Sequence, residues 1–161
     1  MEEKGKLVEV LTITKYKNEA DYKKKKAYDE IIEKCENGKC LLNAGITKMW
    51  NLIIGAEEAE YDNATSELGI GDSSTVADPA QTDLQAAVNK TWKGMMATYP
   101  QISNQKVTFQ AEFLSAEGNY AWEECAVRQT GANVLMNRIV ASKGTKTEGE
   151  VWTAKLEITL S

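Results

Sequence analysis

The segment EVWTAKLEITL, residues 150–160, decides the fold class of this chain. Apolar and polar residues alternate along it, so that one face of an extended chain carries Trp152, Ala154, Leu156, Ile158 and Leu160. Residues 106–114 alternate in the same way, with Val107, Phe109, Ala111 and Phe113 on one face. Alternation of this kind predicts β-strands with one buried face.

Further predicted strands lie on both sides of this segment. Residues 91–98, 122–129 and 133–141 are strand candidates, and turn residues around Gly131 and Gly144 separate the later ones. Successive strands with short turns favour an antiparallel meander or sandwich. Residues 6–16 are rich in β-branched side chains and predict an N-terminal strand. We expect Leu7–Ile13 to pair either with Trp152–Leu160 or with a strand of another chain.

Two helices are predicted between the N-terminal strand and the β region. Asn18 is a candidate N-cap for a helix over residues 19–36, which Asn37-Gly38 would end. A second helix over residues 41–54 has an apolar stripe that repeats every four residues. The short connection between them predicts antiparallel packing.

These elements predict an α+β fold in a single domain, residues 1–161. Its N-terminal strand and antiparallel helix pair are followed by an antiparallel β-sheet or sandwich. The predicted parts are an arm over residues 1–16, the helix pair over residues 19–54, an irregular connector over residues 55–87 and the β region over residues 88–161.

The chain of 161 residues contains no histidine and has a net charge of −5. The missing histidine excludes Ser-His-Asp and Cys-His catalysis and removes the commonest zinc ligand. The negative charge argues against nucleic acid as a partner. The chain has no apolar run long enough to span a bilayer, and MEEKGKLVEV lacks the apolar core of a signal peptide. We therefore expect no membrane partner and no export by the general secretory route.

The three cysteines are Cys35, Cys40 and Cys125. An odd number without a signal peptide predicts reduced thiols. A Cys35–Cys40 disulfide and a three-thiolate metal site are the alternatives.

The stretch GIGDSSTVADPAQTDLQ, residues 69–85, could be a phosphate loop, a calcium loop or a connector. A P-loop needs a lysine where this stretch continues with Asp72. The aspartates Asp62, Asp72, Asp78 and Asp83 do not have the spacing of a calcium-binding loop. We interpret the stretch as an irregular connector between the helical and β parts.

Two charged clusters remain. Glu112, Glu117, Glu123 and Glu124 could supply a carboxylate pair, with Tyr120 and Trp122 as a sugar platform. Lys23–Lys26 is flanked by acidic residues and indicates an ion-paired exposed face rather than a nucleic-acid site. For each of the four tryptophans core packing is expected by default, and one exposed tryptophan in an interface is the alternative. The sequence predicts no catalytic, cofactor-binding or metal-binding residue.

The segments LLNAGITKMWNLIIG, NATSELGIGDSSTVADPAQTDLQA, TYPQISNQKVTFQAEFLSAEGNYAWEECAVRQTG and VLMNRIVASKGTKTEGEVWTAKLEITLS resemble a group of tailed-bacteriophage virion proteins. The resemblance covers about residues 41–161, so the N-terminal strand and the lysine-rich segment fall outside it. The matching positions are Phe109, Ala111, Phe113, Glu117, Asn119, Glu123, Leu135, Asn137 and Arg138.

The resemblance implies a non-enzymatic virion structural protein, assembled in the host cytoplasm. The most favoured role is a capsid decoration protein that binds the major capsid protein, or other virion subunits, and itself as a homo-oligomer. A tail or baseplate accessory protein, a small carbohydrate- or protein-binding β module, and an enzyme of unrecognised type are the alternatives.

Overall fold

Two antiparallel β-sheets form the computed structural model, which describes residues 5–56 and 59–161. The first sheet is built from β1 (Leu7–Tyr16), β2 (Asp29–Glu36), β5 (Gln101–Ser103), β6 (Lys106–Phe113) and β10 (Val151–Leu160). The second sheet is built from β3 (Ser66–Gly71), β4 (Lys90–Gly94), β7 (Glu124–Gln129), β8 (Val134–Leu135) and β9 (Ile139–Val140). The strand order is β2-β1-β10-β6-β5 in the first sheet and β4-β3-β7-β8 in the second, where β9 also pairs with β7.

Apolar side chains from both sheets form one core. Leu11, Phe109 and Leu156 of the first sheet belong to the same buried cluster as Ile70 and Val127 of the second. Alternation places these residues on the inner face of each strand. The β-rich part of the predicted fold is therefore confirmed.

The pairing of the N-terminal strand with the C-terminal strand is confirmed within one chain. Leu7 pairs with Leu160, and the ladder continues without a break to Tyr16 and Val151. Both strands present their apolar residues to the core, which fixes this register because a slip of one residue would expose them. The first four residues of the predicted arm lie outside the described residues.

The predicted helix over residues 19–36 is wrong beyond its first turn. Helix α1 covers only Glu19–Lys23, although Asn18 caps it as expected by accepting a hydrogen bond from the Asp21 N–H at 2.9 Å. Lys25 has a φ of 54°, which ends the helix. Residues 29–36 form β2 against the free edge of β1, with Ile31 opposite Ile13. The helix pair is therefore not confirmed, and the fold is β-rich with two short helices in the described part.

The expectation of reduced thiols is wrong for two of the three cysteines. Cys35 and Cys40 form a disulfide with a Cα–Cα distance of 6.1 Å, while Cys125 is free and buried. Cys35 lies at the end of a strand instead of a helix, and the turn at Asn37-Gly38, both with positive φ, brings Cys40 back beside it.

The second predicted helix is confirmed in position as α2, Asn43–Ile53. The stretch 69–85 is only partly a connector, because Gly69–Gly71 belong to β3. After Asp72 the described chain has no helix or strand until β4, but it is anchored. Leu84 is buried against Trp92, Ala126 and Leu135 on the outer face of the second sheet. Residues 57–58 of the predicted connector lie outside the described residues.

Candidate functional site

Helix α2 is held by its first turn against the segment that joins β8 and β9. The Leu42 N–H donates to the Met136 carbonyl at 3.0 Å, and the Asn43 N–H donates to the Pro79 carbonyl at 2.8 Å. Gly45 lies so close that a Cβ atom there would be 2.4 Å from the Met136 carbonyl oxygen. The helix is therefore fixed to the domain by its N-terminal end.

The apolar stripe of α2 is only half covered by the domain. At the N-terminal end Leu42 is 2% exposed, whereas Trp50, Ile53 and Ile54 are 62%, 71% and 74% exposed. The prediction that each tryptophan packs in the core is therefore wrong for Trp50, although Trp122 is fully buried.

An apolar groove of about 690 Å³ runs beside this uncovered part of α2. One wall is α2 and the other is the β5–β6 hairpin, while the ends of β1 and β10 form the floor. The lining apolar residues are Leu7, Leu41, Ile46, Met49, Trp50, Ile53, Ile102, Val107, Ile158 and Leu160. On the hairpin wall Ile102 is 82% exposed. We call this surface the α2 groove.

The α2 groove carries little charge. Among its lining residues that the structure describes, Lys106 alone is charged, and its ammonium is 2.6 Å from a Glu157 carboxylate oxygen. The amides of Asn104 and Gln105 complete the polar side of the hairpin wall. An apolar groove with a polar rim is suited to an apolar segment of another protein.

Replacing Gly45 by alanine tests the docking of α2. Alanine favours the helix by about 1 kcal/mol over glycine, so a gain in stability is expected if the site is open. Because the added methyl would collide with the Met136 backbone, we expect G45A instead to lose about 1–3 kcal/mol. Urea unfolding measures the difference, and Gly94→Ala, where a Cβ meets nothing within 4 Å, is the control. An unchanged or increased stability of G45A would contradict the close approach.

The four glutamates of the predicted carboxylate cluster are not brought together as an acid–base pair. Each one has a different partner: Tyr22 for Glu112, Lys93 for Glu117, Ser142 for Glu123 and Arg138 for Glu124. The alternative of a sugar platform at Tyr120 and Trp122 does not fit the positions of these side chains. The Trp122 ring is fully buried, and the Tyr120 hydroxyl donates to Thr91 at 2.8 Å.

A polar cleft of about 590 Å³ lies on the outer face of the first sheet, away from the predicted platform. Its lining combines three tyrosines with hydroxyl, amide and lysine side chains: Thr12, Thr14, Tyr16, Tyr22, Lys23, Lys25, Glu30, Met96, Tyr99, Gln110, Thr153 and Lys155. The lysine-rich run, exposed throughout, therefore contributes two side chains to a concave surface.

Each aspartate considered for calcium has a local structural role. Asp62 accepts from the Thr65 N–H, Asp78 from the Ala80 N–H and Asp72 from the Asn89 amide, while Asp83 pairs with Lys90 at 2.6 Å. The bonds of Asp62 and Asp78 stabilise local turns of the kind expected for a connector, whereas Asp72 and Asp83 tie the connector to Asn89 and Lys90.

A buried ion pair fixes the connector to the second sheet, and the sequence did not indicate it. Glu124 and Arg138 have fully buried side chains and are 2.6 Å apart. Glu124 also accepts from the Gln85 and Ala86 N–H groups at 2.9 and 2.8 Å. Arg138 donates to Gln81 at 3.0 Å. The pair therefore joins β7, the residue before β9 and the connector.

Glu9 is a second buried acid that the sequence did not indicate. It is fully buried on the inner face of β1, and its Oε1 accepts from Asn137 at 2.8 Å. Burial raises the pKa of Glu9 to about 7, and hydrogen bonds from Asn137 and the Cys40 backbone offset this only in part. Only its position on an otherwise apolar strand face could have drawn attention to it.

Compared with protein-family models, curated proteins and solved structures, the chain matches none. Neither helix of the described residues is long and apolar enough to cross a bilayer.

Proposed function

We propose that this chain is a non-enzymatic structural protein of a tailed-phage virion, most favourably a capsid decoration protein. In this role the α2 groove binds the major capsid protein or a neighbouring virion subunit. The observation that carries the proposal is the apolar stripe of α2, which packs against the core at Ile46 and Met49 and is open to solvent at Trp50, Ile53 and the next residue, Ile54.

The physical support is the free energy available from covering this surface. Burial of apolar area stabilises an interface by about 25 cal/mol per Å². Contiguous exposed apolar patches in monomers commonly mark interaction sites. A tryptophan at the centre of such a patch is typical of the residues that dominate binding energy. The resemblance over residues 41–161 adds the virion context, and α2 lies inside that range.

The polar cleft favours a second candidate function, carbohydrate binding. Tyr16, Tyr22 and Tyr99 present rings beside hydroxyl and amide groups, a combination that suits stacking and hydrogen bonding to a sugar. A tail or baseplate role would be consistent with this cleft. Binding of specific glycans on a glycan array would distinguish the carbohydrate-binding function from the decoration role.

Replacing Trp50 and Ile53 together by serine tests the α2 groove. We expect W50S/I53S to lose about 2 kcal/mol or more of binding free energy for its partner, because both side chains lie on the exposed part of the helix. Co-sedimentation with emptied, expanded tailed-phage capsids that lack a decoration protein measures binding. Sedimentation velocity of the chain measures self-association.

The matched control is V76S/V88S, which removes two side chains that are 82% and 85% exposed but lie outside the groove. It should bind as the unaltered chain does. Equal binding by W50S/I53S and the control would contradict docking through the groove. Failure of the unaltered chain to bind capsids, with specific glycan binding, would replace the decoration role by the carbohydrate role.

A further inference from the structure

The side chains of Glu9, Cys35 and Cys40 converge beside the floor of the α2 groove. A Glu9 carboxylate oxygen and the two sulfur atoms all lie within 4.8 Å of one another. Among the described residues, this is the one group of three or more cysteine and carboxylate side chains with such spacing. The chain elements that meet here are β1, the end of β2 and the segment before α2.

The carboxylate of Glu9 is incompletely satisfied. Its Oε1 accepts a hydrogen bond from Asn137, and the Cys40 backbone also stabilises the carboxylate, but Oε2 is buried without a hydrogen bond of good geometry. Leaving a buried carboxyl oxygen without a hydrogen bond is unfavourable, so such atoms call for an explanation. A cation beside the two sulfur atoms would supply the missing partner.

We propose that reduction of the Cys35–Cys40 disulfide opens a binding site for a thiophilic divalent cation such as Zn²⁺, with Glu9, Cys35 and Cys40 as its ligands. A dithiol reductant supplies two electrons and two protons, breaks the S–S bond and is itself oxidised to a disulfide. The cation then displaces both thiol protons, together with the proton of Glu9 where the carboxyl is protonated, and binds two thiolates and one carboxylate.

The ligand set suits zinc. Zn²⁺ binds cysteine sulfur and carboxylate oxygen in tetrahedral sites, and a site with three protein ligands leaves the fourth position for water. The turn at Asn37-Gly38 keeps the two cysteines on the same side of the chain, with their Cα atoms 6.1 Å apart. Both cysteines are half-buried, so the reductant and the cation can reach them.

Asn137 acts as a positioning residue for the site. Its Nδ2 donates to Glu9, and its Oδ1 accepts from the Val127 N–H at 2.9 Å. The amide is thereby fixed from both ends, which orients the Glu9 carboxylate with Oε2 free. Hydrogen bonds of this kind orient metal ligands and raise their affinity.

Absorption spectroscopy with Co²⁺ tests the site on the full chain, reduced with a dithiol that is then removed without air. We expect one Co²⁺ per chain, with the intense d–d bands of tetrahedral coordination and a thiolate-to-metal charge-transfer band, both displaced by one equivalent of Zn²⁺. The oxidised chain should give neither band. Glu9→Gln should weaken binding tenfold or more, and Cys35→Ser should abolish the charge-transfer band.

The matched control is Glu33→Gln, which alters a partly exposed carboxylate two residues from Cys35. Glu33 pairs with Lys143 at 3.7 Å rather than with the cysteines, so this variant should bind as the unaltered chain does. Circular dichroism confirms that each reduced protein keeps its β-sheet spectrum. A reduced chain that gives no tetrahedral Co²⁺ spectrum would overturn the proposal. So would equal affinity of Glu9→Gln and Glu33→Gln, or equal binding by the oxidised chain.

Discussion

Replacing Glu124 by alanine should lower the free energy of unfolding by about 3–5 kcal/mol, because the substitution leaves Arg138 as an uncompensated buried charge. Both side chains of the pair are fully buried, so water cannot replace the lost carboxylate. Only the contact of Arg138 with Gln81 would remain among the side-chain hydrogen bonds described for the guanidinium.

The same substitution should free the connector. Glu124 accepts hydrogen bonds from the Gln85 and Ala86 N–H groups. These two bonds hold in place the segment that packs over Ala126 and Leu135. Gly71 leaves room for this arrangement, since a Cβ there would lie 2.4 Å from the Glu124 Oε1. Limited proteolysis should therefore cut residues 72–89 faster in the Glu124→Ala protein than in the unaltered chain.

Urea unfolding followed by circular dichroism measures the loss of stability. Glu124→Gln keeps an acceptor for the backbone and should cost less than Glu124→Ala. The double variant Glu124→Leu/Arg138→Met removes both charges and should recover the part of the loss that comes from the unpaired Arg138. It should not recover the part that comes from the Gln85 and Ala86 N–H groups, which leucine leaves without an acceptor. A loss below about 1 kcal/mol for Glu124→Ala would place the pair among weak, solvated ion pairs and contradict its burial.

The strands with strict alternation could be predicted from sequence because their signal is local. Strands β6 and β10 have one apolar face, which fixes both their type and the face that is buried. Strand β2 could not be assigned in this way. Its residues Ile31, Ile32 and Cys35 fit a helical stripe as well as a strand, and the free edge of β1, distant in sequence, decides between them.

The apolar residues of α2 that line the candidate site could be predicted from the sequence, but their exposure to solvent could not. The stripe of α2 is evident in the sequence, yet its division between core and solvent depends on where the sheets end. Since Ile46 and Trp50 lie one turn apart in the same stripe, no local pattern separates the exposed residue from the one packed against the core. The turn at Asn37-Gly38 was predicted, but as the end of a helix rather than of β2, so the disulfide between Cys35 and Cys40 did not follow from it.

The longest-range feature was the least predictable. Glu124 binds residues 85 and 86, and Glu9 binds Asn137, so each buried acid finds its partner far along the chain. Propensity and periodicity describe only neighbours within one element. The partners of buried polar groups can therefore be identified only in the folded structure, where a buried acid is expected to have a hydrogen-bond partner.

Trp122→Ala is expected to have an effect as large as that of Glu124→Ala, for a different reason. The Trp122 ring is fully buried and makes edge contacts with Phe113 and Trp152, with ring centroids 4.8 and 4.9 Å apart. Its Nε1 donates to the Gly118 carbonyl at 2.8 Å. Truncating a buried tryptophan costs about 3–5 kcal/mol through lost burial and the cavity that remains.

Two further variants separate the causes of this loss. Trp122→Phe keeps an aromatic ring but removes the donor for Gly118, so it should cost less than Trp122→Ala and report the hydrogen bond together with a smaller cavity. Trp50→Ala removes the same side chain from an exposed position and should change stability by less than about 0.5 kcal/mol. Far-UV circular dichroism in urea suits all three variants, since fluorescence would lose the substituted chromophore. Equal losses of stability for Trp122→Ala and Trp50→Ala would contradict the position of Trp122 at the centre of the packed sheets. Removing a buried ring leaves a cavity that its neighbours cannot fill, whereas removing an exposed ring leaves none.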